Sequence, residues 1–363
     1  MSKPSTGPST YEWWKHLAEK APAARPERLT MEQIRRLDPT QRKEYGRQRR
    51  TWHESILLRT PQVVSANEQL DDLLEANEDA VNRVRAAAAI DAPPSLGKST
   101  TVDAYGLRYH REQIEEFGEF VDDNEDILRI PVCRITLTGD VTIKGLHQQL
   151  FEFYAHPARR GTTGRMLARD LAAVAGDAVR RHETRLIIID DVHFLHPGTE
   201  NGEKVANELK WLANEYPATF LFAGVALKKR GLFSEGLNGE LAALAQTGRR
   251  WTLLRLDAFD PLTATGAPAW RDTLLGIEQR LVLAKLRPGT LADRLSDYLY
   301  IRSTGVIGSL MQLIRLGAIR AIRTGHETLD MDLLDHIRID EAAEAARGAT
   351  AKLVNDARRT VRK

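Results

Sequence analysis

The sequence predicts an α/β fold: a doubly wound parallel sheet of five strands, with a helical N-terminal extension and a C-terminal all-helical lid. Three observations predict it. Five apolar runs alternate with helical segments between residues 86 and 256. A Gly-Lys-Ser loop follows the first run, and two carboxylates close the third run. From about residue 259 onward the pattern is that of amphipathic helices alone.

The loop after the first strand has the composition of a phosphate-binding loop. We predict that its residues line a nucleotide: Ala92, Pro93, Pro94, Ser95, Leu96, Gly97, Lys98, Ser99 and Thr100. Backbone N–H groups and the positive end of the following helix favour phosphate. Lys98 would reach the β- and γ-phosphates, the Ser99 hydroxyl would ligate Mg²⁺, and Gly97 lets the backbone approach closely. Because Ala92 stands where the motif usually has Gly, a surface turn ahead of a helix is the alternative interpretation.

The third apolar run, residues 186–191, reads Leu-Ile-Ile-Ile-Asp-Asp and predicts a strand buried on both faces. Its two carboxylates emerge at the end of a parallel strand where ligands bind. We predict that Asp190 holds Mg²⁺ through water and that Asp191 orients the attacking water. A strand that runs into an acidic turn would explain this run alone. The two motifs together, in this order, predict a P-loop NTPase.

The other elements follow in chain order. Residues 56 to about 84 are predicted to be helical, and residues 86–90 to be the first strand. The alanines of that strand favour helix, but a phosphate loop must follow a strand. Ile127–Leu137 is predicted to be the second strand, with Pro131 near its start. The remaining strands are expected at 219–224 and 251–256, and the last helix at 330–339.

These patterns divide the chain into an N-terminal basic and aromatic extension (1–55), an α/β ATPase core (56–258), a helical lid (259–345) and a basic tail (346–363). In the extension, the aromatic cluster Tyr11–Leu17 is expected to dock on the chain's own body or on a partner. Thr30 and Gln33 predict a capping box. The basic run Gln41–Trp52 fits either phosphate contact or a solvated helix face.

Composition limits the remaining possibilities. The net charge of +2 predicts no global attraction to nucleic acid, so any DNA contact must come from local patches. The single cysteine, Cys133, excludes a disulfide framework and a cysteine-based zinc site, and it fits a reducing cytoplasm. No apolar run of 18 residues and no N-terminal apolar signal occur. We therefore expect a cytoplasmic protein with no membrane segment.

The chain resembles an AAA+ ATPase and, more closely, the TniB/TnsC-type transposition regulators related to the MuB target-choosing ATPase of phage Mu. The likeness spans about residues 60–340. Four stretches carry it: Pro93–Ser99, Ile187–Leu195, Gly248–Trp251, and the lid entry Ser303–Leu310.

This resemblance implies a protein that binds ATP with Mg²⁺ and assembles as a homo-oligomer, in rings or helical filaments, on double-stranded DNA. Such a regulator recruits a transposase, and a target-selector protein is a further possible partner. ATP hydrolysis resets the complex. Arg249 or Arg250 matches the position of an arginine finger that reaches a neighbour's γ-phosphate. A surface pair ahead of a strand is the alternative interpretation of these two arginines.

Three departures from the family pattern predict slow hydrolysis. Asp191 stands where Glu is usual, and the fourth strand ends without an Asn, Ser or Thr sensor. Gly308 stands where many AAA+ proteins carry a phosphate-sensing Arg. An inactive nucleotide-binding scaffold is the alternative.

The candidate DNA contacts are basic residues after the second and fourth strands: Lys144, Arg159, Arg160, Lys228, Lys229 and Arg230. Each of these clusters also fits a solvated face. Two other functions fit the same motifs. One is a helicase-loader-like AAA+ protein. The other is a signalling or defence ATPase that acts on a protein partner without DNA.

Overall fold

The computed structural model of the protein describes residues 9–78, 85–121, 124–139, 141–155, 166–192, 200–227 and 251–361. The chain divides into two compact units. The first unit comprises Met1–Lys20, Ser65–Pro94 and Lys98–Leu256, and the second comprises Ala21–Val64, Ser95–Gly97 and Asp257–Lys363.

Seven strands occur in the described residues, all of them in the first unit. They are β1 (Ala87–Asp91), β2 (Phe120–Val121), β3 (Asn124–Leu128), β4 (Val132–Thr136), β5 (Leu186–Asp190), β6 (Thr219–Gly224) and β7 (Trp251–Arg255). Five of them form a parallel sheet in the order β4-β5-β6-β1-β7. The predicted five-stranded α/β fold is therefore confirmed, and the alanines of β1 form a strand despite their helix propensity.

The second predicted strand is wrong in its extent. The sequence suggested one strand over Ile127–Leu137, but the chain breaks at Pro131. The part before the break pairs as β3 with β2 in an antiparallel hairpin, and the part after it enters the sheet as β4. Proline has no N–H to donate to a ladder, which explains the break. Its carbonyl instead accepts hydrogen bonds from the N–H groups of Arg185 (2.9 Å) and Leu186 (3.1 Å).

The helices surround this sheet in the first unit and make up the second unit. They are α1 (Tyr11–Glu19), α2 (Met31–Arg36), α3 (Pro39–Glu54), α4 (Pro61–Glu78), α5 (Lys98–Phe117), α6 (Ile143–Tyr154), α7 (Ala168–Arg181), α8 (Glu200–Glu215), α9 (Gly266–Arg280), α10 (Ser296–Ser303), α11 (Ile307–Thr324), α12 (Met331–Asp335) and α13 (Glu341–Val361). A π-helical turn, Thr290–Arg294, precedes α10. No single helix of the described ranges is both long and apolar enough to cross a membrane. Only α10 and α11 taken together, with a bend of 115° between them, reach that length and composition.

The aromatic cluster of the extension docks on the chain's own first unit. Trp14, on α1, is only 1% exposed. Gly106 of α5 makes room for it, because a Cβ at that position would lie 3.1 Å from the Trp14 ring and 2.6 Å from Ile188 of β5. Arg111 of α5 also donates a hydrogen bond of 2.7 Å to the carbonyl of Ala18.

In the second unit, the predicted capping box is present. The Thr30 hydroxyl accepts the Gln33 N–H at 3.2 Å, and the Gln33 side chain accepts the Thr30 N–H at 2.7 Å. The basic run Gln41–Trp52 forms most of α3, and its helix buries one stripe that includes Arg49. This stripe packs into the second unit, while Arg42, Lys43 and Arg47 of the run are exposed and Arg50 is half-buried.

The chain continues as helix beyond the expected last helix at 330–339. That segment contains only the short α12, and α13 then runs over 21 residues to Val361. Alanines favour this helix, and glutamates in its first turn and arginines in its last turn complement the helix dipole. Arg358 of α13 forms an ion pair of 2.6 Å with Asp297 of α10.

Candidate nucleotide-binding site

The loop between β1 and α5 has the backbone shape of a phosphate cradle. Ser95 and Gly97 adopt positive φ angles of 62° and 81°. Glycine adopts this conformation without strain, which explains why Gly97 suits its position. Helix α5 begins at Lys98, so Ser99 and Thr100 lie exposed in its first turn. Backbone N–H groups without helical partners and the positive helix end therefore lie next to this loop.

Lys98 folds back over its own loop. Its Nζ donates hydrogen bonds of 2.9 Å to each of the carbonyls of Ala92 and Pro93. Burial lowers the pKa of Lys98, and the nearby carboxylates of Asp190, Asp191 and Asp91 act in the opposite direction. The acidic residues at the ends of β5 and β1, all in the first unit, therefore act electrostatically on the Lys98 ammonium.

Asp190 is held rigidly at the end of β5, where it is 1% exposed. Its Oδ1 accepts the N–H of Asp191 at 2.8 Å, and its Oδ2 accepts a hydrogen bond from Arg134 at 3.0 Å. Asp191 itself adopts a left-handed conformation with φ of 60°. Aspartate tolerates this region better than most residues, which gives a backbone reason for Asp at a position where AAA+ proteins usually carry Glu.

The sequence reasoning missed Arg134. This residue lies in β4, beside β5, and its guanidinium also donates to Asp103 of α5 at 2.9 Å and to the Thr136 hydroxyl. The sequence did contain a sign of its role, because Arg134 is the single charged residue in the apolar run Val-Cys-Arg-Ile that starts at Val132. A charge in a buried strand requires a partner, and here Asp190 is that partner.

Gly308, which is predicted to stand where many AAA+ proteins carry a phosphate-sensing Arg, lies in close contact with Ser95. In the second unit, its N–H donates a hydrogen bond of 2.8 Å to the Ser95 carbonyl. A Cβ at this position would lie 2.4 Å from that carbonyl oxygen. A side chain at position 308 therefore requires the backbone at Ser95 to shift.

The donor set of the first unit fits Mg²⁺ and a triphosphate. The Ser99 hydroxyl and the Asp190 carboxylate are hard oxygen ligands, and Mg²⁺ typically takes one or two protein oxygens and completes its shell with phosphate and water. The Lys98 ammonium and the N–H groups at the start of α5 suit the phosphates.

Several predicted residues lie outside the described residues: Arg159, Arg160, Lys228, Lys229, Arg230, Arg249 and Arg250. Lys144 is described and lies half-buried in the first turn of α6. Its role in DNA binding, like those of the others, stays a prediction.

Comparisons with known proteins agree with this fold. A family model described as an AAA domain matches residues 81–232, which include the loop, Arg134 and the two aspartates. No curated protein matches the chain. Of the solved structures, the ORC1 protein of Aeropyrum pernix, in complex with DNA, has a TM-score of 0.53 at 15% identity, over 79% of this chain. The chain covers 65% of that structure's chain, just under two thirds of its length.

The ORC2 protein of Aeropyrum pernix, solved as ADPNP and ADP complexes, has a TM-score of 0.51 at 13% identity. The match covers 79% of this chain and 71% of the ORC2 chain. At these identities the likeness concerns the fold. The predicted AAA+ P-loop fold is confirmed. The finer resemblance to transposition regulators stays a prediction.

Proposed function

We propose that this AAA+ P-loop chain is an ATPase that binds ATP with Mg²⁺ at residues 92–100. The observation that carries the proposal is the placement, within one unit, of Lys98 near the carboxylates of Asp190 and Asp191. A lysine at a helix start beside two strand-end carboxylates is the arrangement that phosphoryl transfer requires.

Each residue has a role that follows from its position. Lys98 leaves the carbonyls of Ala92 and Pro93 and binds phosphate oxygens, which are stronger acceptors because they are charged. Ser99 and Asp190 would hold Mg²⁺, which when bound neutralises phosphate charge. Asp191 orients a water for attack, and Arg249 or Arg250 of a neighbouring copy stabilises the charge that develops.

The finer proposal is a regulator of DNA transposition. In this role the chain oligomerises on double-stranded DNA in the ATP state and recruits or activates a transposase, and a target selector is a further partner. The motif resemblance supports this role. So does the fold likeness to a protein solved in complex with DNA. Lys144 and the basic residues after β6 are the proposed phosphate contacts.

Hydrolysis is proposed to be slow and to reset the complex. The short Asp191 side chain places water less closely than Glu would, and Gly308 contributes a backbone N–H to Ser95 instead of a guanidinium to phosphate. A slow ATPase keeps its ATP-bound assembly long enough for a partner to join.

The mobility of labelled duplex DNA in a native gel tests this role. The experiment compares ATP, ADP and no nucleotide for the intact chain and for Lys98→Ala. We expect an ATP-dependent shift with little sequence preference that weakens steeply as salt rises, and no shift for Lys98→Ala. Lys144→Ala should reduce affinity about equally for different sequences.

A chain that binds no DNA would favour a different function. If the chain binds ATP but shifts no DNA at low salt, the DNA role is wrong, and a signalling or defence ATPase with a protein partner is favoured. A shift that persists unchanged without nucleotide would contradict the link between ATP and DNA.

A further inference from the structure

Arg134 joins the two elements that carry the proposed Mg²⁺ ligands. Its Nη2 lies 3.0 Å from Oδ2 of Asp190 at the end of β5, and its Nε lies 2.9 Å from Oδ1 of Asp103. Asp103 is one helical turn after Ser99 on α5, so both residues project from the same side of that helix. The guanidinium therefore links the helix of Ser99 to the strand of Asp190.

Arg134 neutralises the charge of Asp190 without any metal. Asp190 is almost fully buried and already uses both carboxylate oxygens, one for the Asp191 N–H and one for Arg134. Asp103 is more open, with a side chain 36% exposed. A buried carboxylate needs a compensating positive charge, and Arg134 supplies it from the strand next to Asp190.

We propose that Arg134 is a positioning residue that substitutes for the charge of Mg²⁺ at Asp190 and thereby sets how much Mg²⁺ nucleotide binding requires. The proposal rests on the ATP-binding function proposed above. It differs from a purely structural role because it assigns Arg134 and the metal to the same carboxylate.

Removing Arg134 and removing Asp103 should shift the Mg²⁺ requirement in opposite directions. Without the guanidinium, Asp190 loses the positive charge that is hydrogen-bonded to it and keeps the nearby Lys98, so it attracts Mg²⁺ more strongly and repels metal-free ATP. Without Asp103, Arg134 keeps Asp190 as its one carboxylate partner among the described residues, so it competes more strongly with Mg²⁺ for that residue.

The experiment measures the affinity of the full-length chain for a fluorescent ATP analogue, first in EDTA and then across a Mg²⁺ titration. The Mg²⁺ midpoint is the Mg²⁺ concentration at which half of the Mg²⁺-dependent gain in nucleotide affinity is reached. For Arg134→Gln we expect this midpoint to fall about tenfold, and the affinity for the analogue in EDTA to weaken about tenfold. Arg134→Lys, which keeps the charge, should lie closer to the unaltered chain. Asp103→Asn should move the midpoint in the opposite direction, to higher Mg²⁺.

Arg129→Gln is the matched control, because Arg129 is also a buried arginine of the first unit but bonds to Glu183 and to backbone carbonyls. Its loss should lower the melting temperature without moving the Mg²⁺ midpoint. If the unaltered chain binds no ATP analogue, the proposed function fails. If it binds and Arg134→Gln leaves the midpoint unchanged, the positioning role of Arg134 is wrong. Should Arg134→Gln not fold, the Asp103→Asn midpoint decides: a rise supports the role, and no rise overturns it.

Discussion

Each unit buries an arginine against a carboxylate, and the two pairs differ in their surroundings. In the second unit, Arg49 lies 2.7 Å from Glu327, and both side chains are at most 2% exposed. The same Glu327 oxygen also accepts the Ala284 N–H at 3.1 Å. In the first unit, Arg134 lies 3.0 Å from Asp190, and Arg134 is 12% exposed.

The difference shows that one chemical pair can have two roles. The Arg49–Glu327 pair is sealed among helices and joins α3 to the turn after α11, so its carboxylate has only structural partners in the described part of the chain. The Arg134–Asp190 pair joins the neighbouring strands β4 and β5, with Asp190 at the carboxyl end of β5, and its arginine has a second, partly exposed carboxylate in Asp103. The first pair has a structural role, whereas we propose that the second shares its carboxylate with Mg²⁺.

The largest expected effect is on stability in the second unit. Glu327→Gln leaves Arg49 buried without a counter-charge, so we expect the free energy of unfolding to fall by about 3–5 kcal/mol. Urea unfolding followed by circular dichroism measures this change. Asp297→Asn, which breaks the half-exposed pair with Arg358, is the control and should cost at most about 1 kcal/mol. Equal losses of unfolding free energy in the two variants would contradict the prediction that burial makes the Arg49–Glu327 pair important for stability.

The corresponding change in the first unit should affect catalysis more than stability. Asp190→Asn keeps the shape of the side chain but removes the charge that holds Mg²⁺, so we expect the ATPase rate to fall roughly 100-fold or more. Its unfolding free energy should fall less than that of Glu327→Gln, because Arg134 keeps Asp103 as a partner. Steady-state phosphate release measures the ATPase rate, and urea unfolding measures the free energy of unfolding. A large loss of stability with an unchanged ATPase rate would show that Asp190 has a structural role like that of Glu327.

The contact between Gly308 and Ser95 predicts a smaller cost. Gly308→Ala places a Cβ 2.4 Å from the Ser95 carbonyl oxygen, so we expect a loss of about 1–3 kcal/mol in unfolding free energy. Gly348→Ala in α13 is the control, since a Cβ there meets no atom within 4 Å, and better helix propensity should add about 0.5–1 kcal/mol. A stabilising Gly308→Ala would show that the loop backbone yields easily.

Acid should weaken both units. Burial lowers the pKa of His53 in the second unit and of His110 in the first unit from 6.5 to about 4. Between these values the unfolded chain binds more protons, so stability is complete above pH 6.5 and is lost as the pH falls toward 4. We expect each histidine to cost roughly 1–2 kcal/mol at pH 5.

His53→Gln tests this pH dependence. The glutamine side chain can still accept the Val282 N–H that His53 accepts at 2.9 Å, so the loss of stability between pH 7 and pH 5 should shrink by the contribution of one histidine, roughly 1–2 kcal/mol. Thermal melts at both pH values measure it. An unchanged loss would mean that His53 does not titrate on unfolding.

Local patterns predicted most of the fold and the charged residues of the site. The β-branched run before Asp190 and the Gly-Lys-Ser loop define strand and helix within a few residues, and Thr30 with Gln33 defines a helix start. Arg134 was missed because its partners are distant in sequence: Asp103 lies 31 residues away and Asp190 lies 56 residues away. The pairing of β2 with β3 and the docking of Trp14 also depend on tertiary contacts that no short window contains.

We propose that Lys98 and Asp190 together hold ATP with Mg²⁺, Lys98 at the phosphates and Asp190 at the metal ion. Isothermal calorimetry of ATP with Mg²⁺, on the unaltered chain and on Lys98→Ala, tests this site. We expect saturable binding of one ATP per chain, weakened roughly 100-fold or more in Lys98→Ala, because the loss of a charge-assisted phosphate contact is costly. No measurable heat with the unaltered, folded chain, or equal affinity in the two proteins, would contradict the claim.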